Sequence, residues 1–297
     1  MLIRRNDKDR LFRWFTVAPS IIILLLIMVY PLINNFYNSF RYLTLINQRS
    51  GGIFIGLLNF LELFTEPSFL NSLWVTFIYV FLTVTLQIGI AFLIALAVYK
   101  GRTRLRQITT ICLLLPKMVT PVAAALVWRF MLNYETGIIN YFMSLFHIPR
   151  ISFLTNSVSA MITLNIIGVW QHLGFSFLLI VTGLMAISNE ILEAAEVDGT
   201  TWFQKLRHII IPILRPVLTV VSLFAIINSF QAFDTIFMTT GGGPAEATQV
   251  LSIYLYRKLF IASSFGSAAA VSVILLVISL FISFSMIRVL KKGGQLG

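Results

Sequence analysis

Six stretches of this chain run for about twenty residues or more with few ionised side chains, and that pattern leaves few folds open. A helix needs about 20 mostly apolar residues to cross the hydrocarbon core of a bilayer. No water is present there to satisfy backbone N–H and C=O groups, so a run of this length crosses as a helix. The runs extend from about Trp14 to Ile33, Leu73 to Val98, Ile108 to Leu132, Val158 to Ile187, Ile209 to Phe237 and Gly266 to Val289. Charged residues make up only 11% of the 297 and hydrophobic ones 58%, against roughly 25% charged in a soluble domain. The expected fold class is all-α and polytopic, with six transmembrane helices. A basic start before an apolar run can be a secretory signal. Here the run is long and no small-residue cleavage pattern follows, so the first helix is expected to be retained.

Lysine and arginine set the orientation of such helices. With a cytoplasmic N-terminus, fourteen of the 22 fall on cytoplasmic segments: Arg4, Arg5, Lys8, Arg10, Arg13, Lys100, Arg102, Arg104, Arg106, Lys205, Arg207, Arg288, Lys291 and Lys292. Five fall outside (Arg41, Arg49, Arg150, Arg257, Lys258), and Lys117, Arg129 and Arg215 lie in or at the ends of spans. Both termini are therefore expected in the cytoplasm of a bacterial-type inner membrane. The expected division is a cytoplasmic segment 1–13, the first helix and its outside loop 14–71, a five-helix core 72–290 with a cytoplasmic loop at about 188–207, and a tail 291–297. The net charge of +11 clusters beside the spans, which points to membrane lipid and away from nucleic acid as a partner. The single cysteine, Cys112, lies in an apolar run, which excludes an intrachain disulfide and argues against a metal cluster.

The spans carry polar residues that a simple anchor has no reason to hold in hydrocarbon. The third contains Pro116, Lys117 and Pro121; the fourth contains Asn165, Trp170, Gln171 and His172; the fifth contains Pro212, Pro216, Asn228, Gln231 and Asp234. Gln171, Asn228 and Gln231 are the best candidates for a solute path, because an amide both donates and accepts hydrogen bonds to hydroxyls. Asn228 and Gln231, three apart, share a helical face. Interhelical hydrogen bonding in a packed bundle explains the same residues equally well. Trp170 is read first as packing, and His172 has no partner in sequence that suggests a metal.

The stretch 188–205, SNEILEAAEVDGTTWFQK, reads as a helix, a turn and a second helix outside the membrane. Ser188 or Asn189 can cap a helix with an acidic first turn. Ile191, Leu192 and Ala195 form an apolar face, and Gly199 can end the helix in a left-handed conformation. A second short helix is expected through Trp202, Phe203 and Leu206. Glu190, Glu193, Glu196 and Asp198 argue against a helix lying in the lipid interface, where a basic polar face is favoured.

Glu193-Ala194-Ala195, Gly199 three residues on, and Ile209-Ile210-Ile211-Pro212 after nine more resemble the signature loop of binding-protein-dependent permeases of the ATP-binding-cassette superfamily, with Ile211 where that family has leucine. Trp128-Arg129 with Gly137-Ile138-Ile139-Asn140, Asp234 with Gly241-Gly242-Gly243-Pro244, and Tyr254, Tyr256-Arg257 and Phe265-Gly266 with Ala268-Ala269-Ala270 extend the resemblance to the maltose-type, carbohydrate branch. The resemblance implies a type I importer permease that brings a sugar, oligosaccharide or sugar derivative into the cytoplasm. It implies a second homologous permease subunit, most simply a heterodimer, two ATPase subunits and an extracytoplasmic solute-binding protein. Glu193, Ala194, Ala195, Asp198 and Gly199 would form the ATPase-coupling knob, and Trp170 falls where related permeases hold a tryptophan at the sugar site. No Gly-x₄-Gly-Lys-Ser/Thr loop occurs in the chain. The chain is therefore expected to be non-catalytic and free of cofactors, with ATP and magnesium on the partner subunits.

Lys117 departs from this family's pattern, which often has an aromatic residue there. Three readings stay open: it meets carbonyls freed by the prolines, it pairs with an acid, or it faces the pore and an anionic solute. An ion-coupled secondary transporter would use Lys117 and Asp234 as an ion site but leaves the Glu193–Pro212 loop unexplained. A membrane-embedded enzyme lacks its metal-spaced histidines and its facing aspartates.

Overall fold

A computed structural model describes residues 4–292, with side chains for 14–288. The charges expected at Arg4 to Arg13 and at Lys291 and Lys292 lie outside the described side chains. The helices in chain order are α1 (Arg4–Leu24), α2 (Tyr30–Asn38), α3 (Leu58–Thr65), α4 (Pro67–Val98), α5 (Thr103–Met118), α6 (Pro121–Met131) and α7 (Ile138–Leu145). They continue with α8 (Ser157–Met185), α9 (Asn189–Val197), α10 (Trp202–Lys205), α11 (Ile211–Phe230), α12 (Asp234–Thr239), α13 (Leu251–Tyr256) and α14 (Phe265–Lys292). Two short strands, β1 (Arg41–Tyr42) and β2 (Ile53–Phe54), pair antiparallel with Arg41 opposite Phe54.

Among the described residues, five stretches are long and apolar enough to cross a membrane: Trp14–Asn38, Pro67–Val98, Ser157–Met185, Trp202–Phe230 and Phe265–Arg288. The sixth expected span is broken. α5 and α6 meet at a bend of 95°, because Pro121 restricts the residue before it to extended backbone. Thr120 accordingly has ψ of 143°, and Val119, the C-cap of α5, is extended as well at 133°. Thr120 then caps α6 by accepting a hydrogen bond from the Ala123 N–H at 3.4 Å. Lys117, expected near the middle of a straight span, instead occupies the last turn of the first half-helix. The fifth span also ends early. α11 stops at Phe230, so Gln231 is its C-cap rather than an interior residue, and α12 starts only at Asp234.

Two π-helical turns, Leu25–Val29 and Leu206–Ile210, are each followed after one residue by a proline, Pro31 or Pro212. A proline cannot donate the next bond of the α ladder. The preceding N–H, of Tyr30 or Ile211, bonds five residues back to Leu25 or Leu206, which widens the turn.

The chain divides into two units, 1–66 with 255–276 and 67–254 with 277–297. In the first, the buried Asn59 side chain donates to the carbonyls of Ser39 and Arg41 at 2.9 and 2.8 Å, and Lys258 pairs with Glu66 at 2.7 Å. In the second, α8 is the central helix and packs on α4, α5 and α11. Phe177, Ile180, Leu184, Ala91, Ala95 and Leu214 belong to its apolar core, beside the start of α9. α4 and α8 also share a polar seam, with Thr83 Oγ1 donating to Asn165 Oδ1 at 2.8 Å and Gln87 Nε2 to Ser176 Oγ at 2.7 Å. Gly174 lets α8 approach α5 closely: a Cβ there would sit 2.1 Å from the Leu113 carbonyl oxygen.

Candidate functional site

Two regions hold the residues singled out from sequence. The first is the knob of α9 and α10. Ser188 caps α9, its hydroxyl accepting from the Glu190 N–H at 3.2 Å. Gly199 closes the helix at φ 70°. The Thr200 N–H reaches the Ala195 carbonyl and the Gly199 N–H the Glu196 carbonyl, both at 3.1 Å, the double bond of a Schellman end. Thr201 and Gln204 form a capping box that starts α10.

Leu192 and Ala195 are buried, with Leu192 in the core beside Leu184, Ile187 and Ile210. Ile191, expected on the same face, is instead 46% exposed. Glu193, Ala194 and Asp198 face outward, as do Val197, Trp202 and Phe203 at 60% exposure or more. Glu196 pairs with Lys205 at 2.8 Å and so ties the two helices together. That hydrogen bond and charge, with Lys100 nearby, hold the Glu196 carboxyl below its ordinary range.

The second region is a cavity of ≈ 190 Å³ walled by α4, the α5–α6 break, α8, and the end of α11 with the start of α12. Lys117, Gln171, Asn228 and Gln231 all line it, with His172 and Asp234. Sequence reading singled out each of these, but left open whether they met. Gln171 is 2% exposed, and its Nε2 donates to the Val119 carbonyl at 3.3 Å, within the break itself. Its Oε1 is buried without a hydrogen-bond partner. Asn228 uses one amide hydrogen on the Phe224 carbonyl at 2.8 Å, and His172 Nδ1 contacts the Gly168 carbonyl at 3.0 Å. Trp170 is not among the lining residues; it packs edge-on against Trp128 with ring centroids 5.6 Å apart.

Sequence reading missed the contribution of α4. Tyr79 and Thr83 line the cavity, and Thr83 and Gln87 satisfy α8. The signal was the spacing of Thr76, Tyr79, Thr83 and Gln87, which repeats every three or four residues and places them on one face. Asn165, noted beside Gln171, is consumed by the α4–α8 seam.

A polytopic helical chain with one broken span, a polar cavity at the break and a capped helix pair between α8 and α11 has the parts of a membrane permease subunit. The family of binding-protein-dependent transport system inner membrane components matches residues 52–292, and the chain belongs to it. A trehalose/maltose transport system permease protein of Thermococcus litoralis is 31% identical over 94% of this chain and 92% of its own length. An sn-glycerol-3-phosphate transport system permease protein of Rhizobium meliloti is 33% identical over 97% and 98%. Among solved structures, a chain of a bacterial alginate ABC transporter, crystallised in complex with an alginate pentasaccharide-bound periplasmic protein, superposes with a TM-score of 0.81. It covers 98% of this chain and 99% of that one at 22% identity, which shows a shared type I importer permease fold.

Proposed function

We propose that this chain forms one half of the pore of an ATP-driven importer for a sugar, oligosaccharide or sugar derivative. A second homologous permease subunit supplies the other half. Two ATPase subunits hold ATP and magnesium on the cytoplasmic side, and an external binding protein delivers the solute. Both termini lie in the cytoplasm, and the chain itself catalyses no reaction.

The observation that carries this reading is the polar cavity at the broken third span, in a chain whose other long helices are hydrophobic enough to cross a membrane. Backbone that leaves the helical ladder within a membrane is tolerated where protein buries it or water reaches it. Here the freed Val119 carbonyl is met by Gln171. Lys117, Gln171, Asn228 and Gln231 meet the solute, with Trp170 behind the wall on Trp128. The names of the relatives, for trehalose/maltose and for sn-glycerol-3-phosphate transport, support hydroxyl-rich cargo.

Glu193, Ala194, Ala195, Asp198 and Gly199 shape the knob that seats in a cleft of an ATPase subunit. The exposed Val197, Trp202 and Phe203 supply apolar contact, and Glu193 meets a basic group there. ATP binding closes the ATPases, draws the knobs together and opens the pore outward; hydrolysis resets it.

The test is uptake into proteoliposomes holding the complete complex. Uptake is expected to require ATP and the binding protein and to survive an ionophore that collapses proton and sodium gradients. Uptake driven by an ion gradient without ATP would overturn the reading in favour of a secondary transporter.

A further inference from the structure

Lys117 makes no hydrogen bond or ion pair among the described residues, yet it lines the cavity. Its place in the last turn of α5 is one where unsatisfied carbonyls favour a cation. Two of the three readings open to it are thereby narrowed: no described acid lies within ion-pair distance, and the freed Val119 carbonyl is taken by Gln171.

The same cavity carries a second unmet group. Gln171 Oε1 is buried without a partner, while its Nε2 is committed to the break. A buried acceptor left unpaired is unfavourable, and a solute hydroxyl would supply the missing donor. Asp234 lines the cavity as well, without an ion pair to Lys117. Among the described residues the cavity thus brings together an ammonium and a carboxylate that do not pair with each other and a buried amide oxygen without a partner, so local position rather than net charge sets what binds.

We propose that the cavity selects a solute carrying both an anionic substituent and hydroxyl groups, such as a uronate, a sulfonated sugar or a polyol phosphate. Lys117 takes the anion at the α5–α6 break. Gln171 Oε1 and the Asp234 carboxylate accept hydrogens from the hydroxyls. This rests on the importer reading above and deepens it by naming the charge of the cargo. A neutral sugar would satisfy Gln171 and Asp234 but would leave the ammonium to water alone.

The experiment compares initial uptake rates in proteoliposomes of the complete complex with its binding protein. The probes are digalacturonate, 6-deoxy-6-sulfoglucose and glycerol 3-phosphate, each against its uncharged counterpart (the dimethyl ester, glucose and glycerol). Wild type is expected to carry at least one acid faster than its counterpart. For that acid, Lys117→Gln is expected to raise KM about tenfold or more, as loss of a charge-assisted hydrogen bond would, and Lys117→Arg to restore most of the loss. The wild-type comparison needs no variant to fold. If every counterpart outruns its acid, or if Lys117→Gln carries the preferred acid with wild-type KM, the anion assignment is overturned while the sugar importer stands. If wild type carries no probe of either kind, the carbohydrate reading fails and this proposal falls with it.

Discussion

The knob closes on itself within residues 188–205, whereas the cavity draws its wall from segments between Tyr79 and Thr235. The hydrogen bonds that define the knob span two to nine residues: the Ser188 cap, the Schellman end at Gly199, the Thr201–Gln204 box and the Glu196–Lys205 pair. Those that join one helix to another at the cavity and the seam beside it span 52 to 89 residues, from Gln171 on Val119 to Gln87 on Ser176. Local bonds make a shape that survives motion of its surroundings, which suits the docking role proposed for the knob. Long-range bonds make a wall whose geometry changes whenever the helices shift, which suits the solute path proposed for the cavity.

This contrast can be broken most directly at the close approach of α8 and α5. Gly174→Val would drive side-chain atoms into the Leu113 carbonyl, since even a bare Cβ would come within 2.1 Å. The expected outcome is little or no assembled complex in the membrane, measured by co-purification with the ATPases. Normal assembly would show that the long-range wall is more pliable than its contacts imply.

Glu193→Lys tests the knob on the opposite terms. The side chain is exposed and the helix caps are untouched. Membrane insertion is therefore expected to be normal, while ATP-driven uptake falls to background and the ATPases come away more readily in detergent. Wild-type uptake by this variant would remove Glu193 from the docking surface.

Gln171→Ala removes two interactions from the cavity at once, the brace on Val119 and the free acceptor. A neutral hydrogen bond contributes about 0.5–1.5 kcal/mol net, so uptake is expected to fall about tenfold with assembly preserved. Asn228→Ala and Gln231→Ala, each at the end of α11, are expected to fall by less. Silence of all three, singly and together, would assign them to packing.

A smaller effect is expected within the knob at Gly199. An alanine Cβ would meet nothing within 4 Å, so Gly199→Ala suffers only the strain of φ 70°, roughly 1 kcal/mol. Gly199→Asn should be nearly neutral, because asparagine tolerates that region. Amide exchange across 188–205 would register the difference.

The smallest effect belongs to the exposed Glu196–Lys205 pair. Glu196 titrates below its unfolded value, so the pair's contribution is complete above the ordinary carboxylate range and is lost as the pH falls through the lowered value. Lys205→Met should move the Glu196 carboxyl back up, read by its carbon chemical shift on acid titration, with little change in stability. A large loss of stability would mean that the knob depends on this pair more than on its caps.

The sequence alone determined the six apolar runs, the site of the loop at 188–205 and the ends of its helices. These depend on hydropathy, capping residues and a glycine acting within a few residues of themselves. It also displayed Pro116 and Pro121 without showing that the second would turn the third span through 95°. Only the tertiary structure sorted the polar residues of the spans. Asn165 and Gln171, six apart on α8, read alike as amides in hydrocarbon, but packing against α4 gives Asn165 to Thr83, while the broken helix takes one end of Gln171 and leaves the other free. It likewise placed Lys117 at a helix end beside that amide and left Trp170 out of the cavity's wall. A side chain's type is set by its position in the chain, but whether its hydrogen bonds are met is set by which other helix comes to lie beside it.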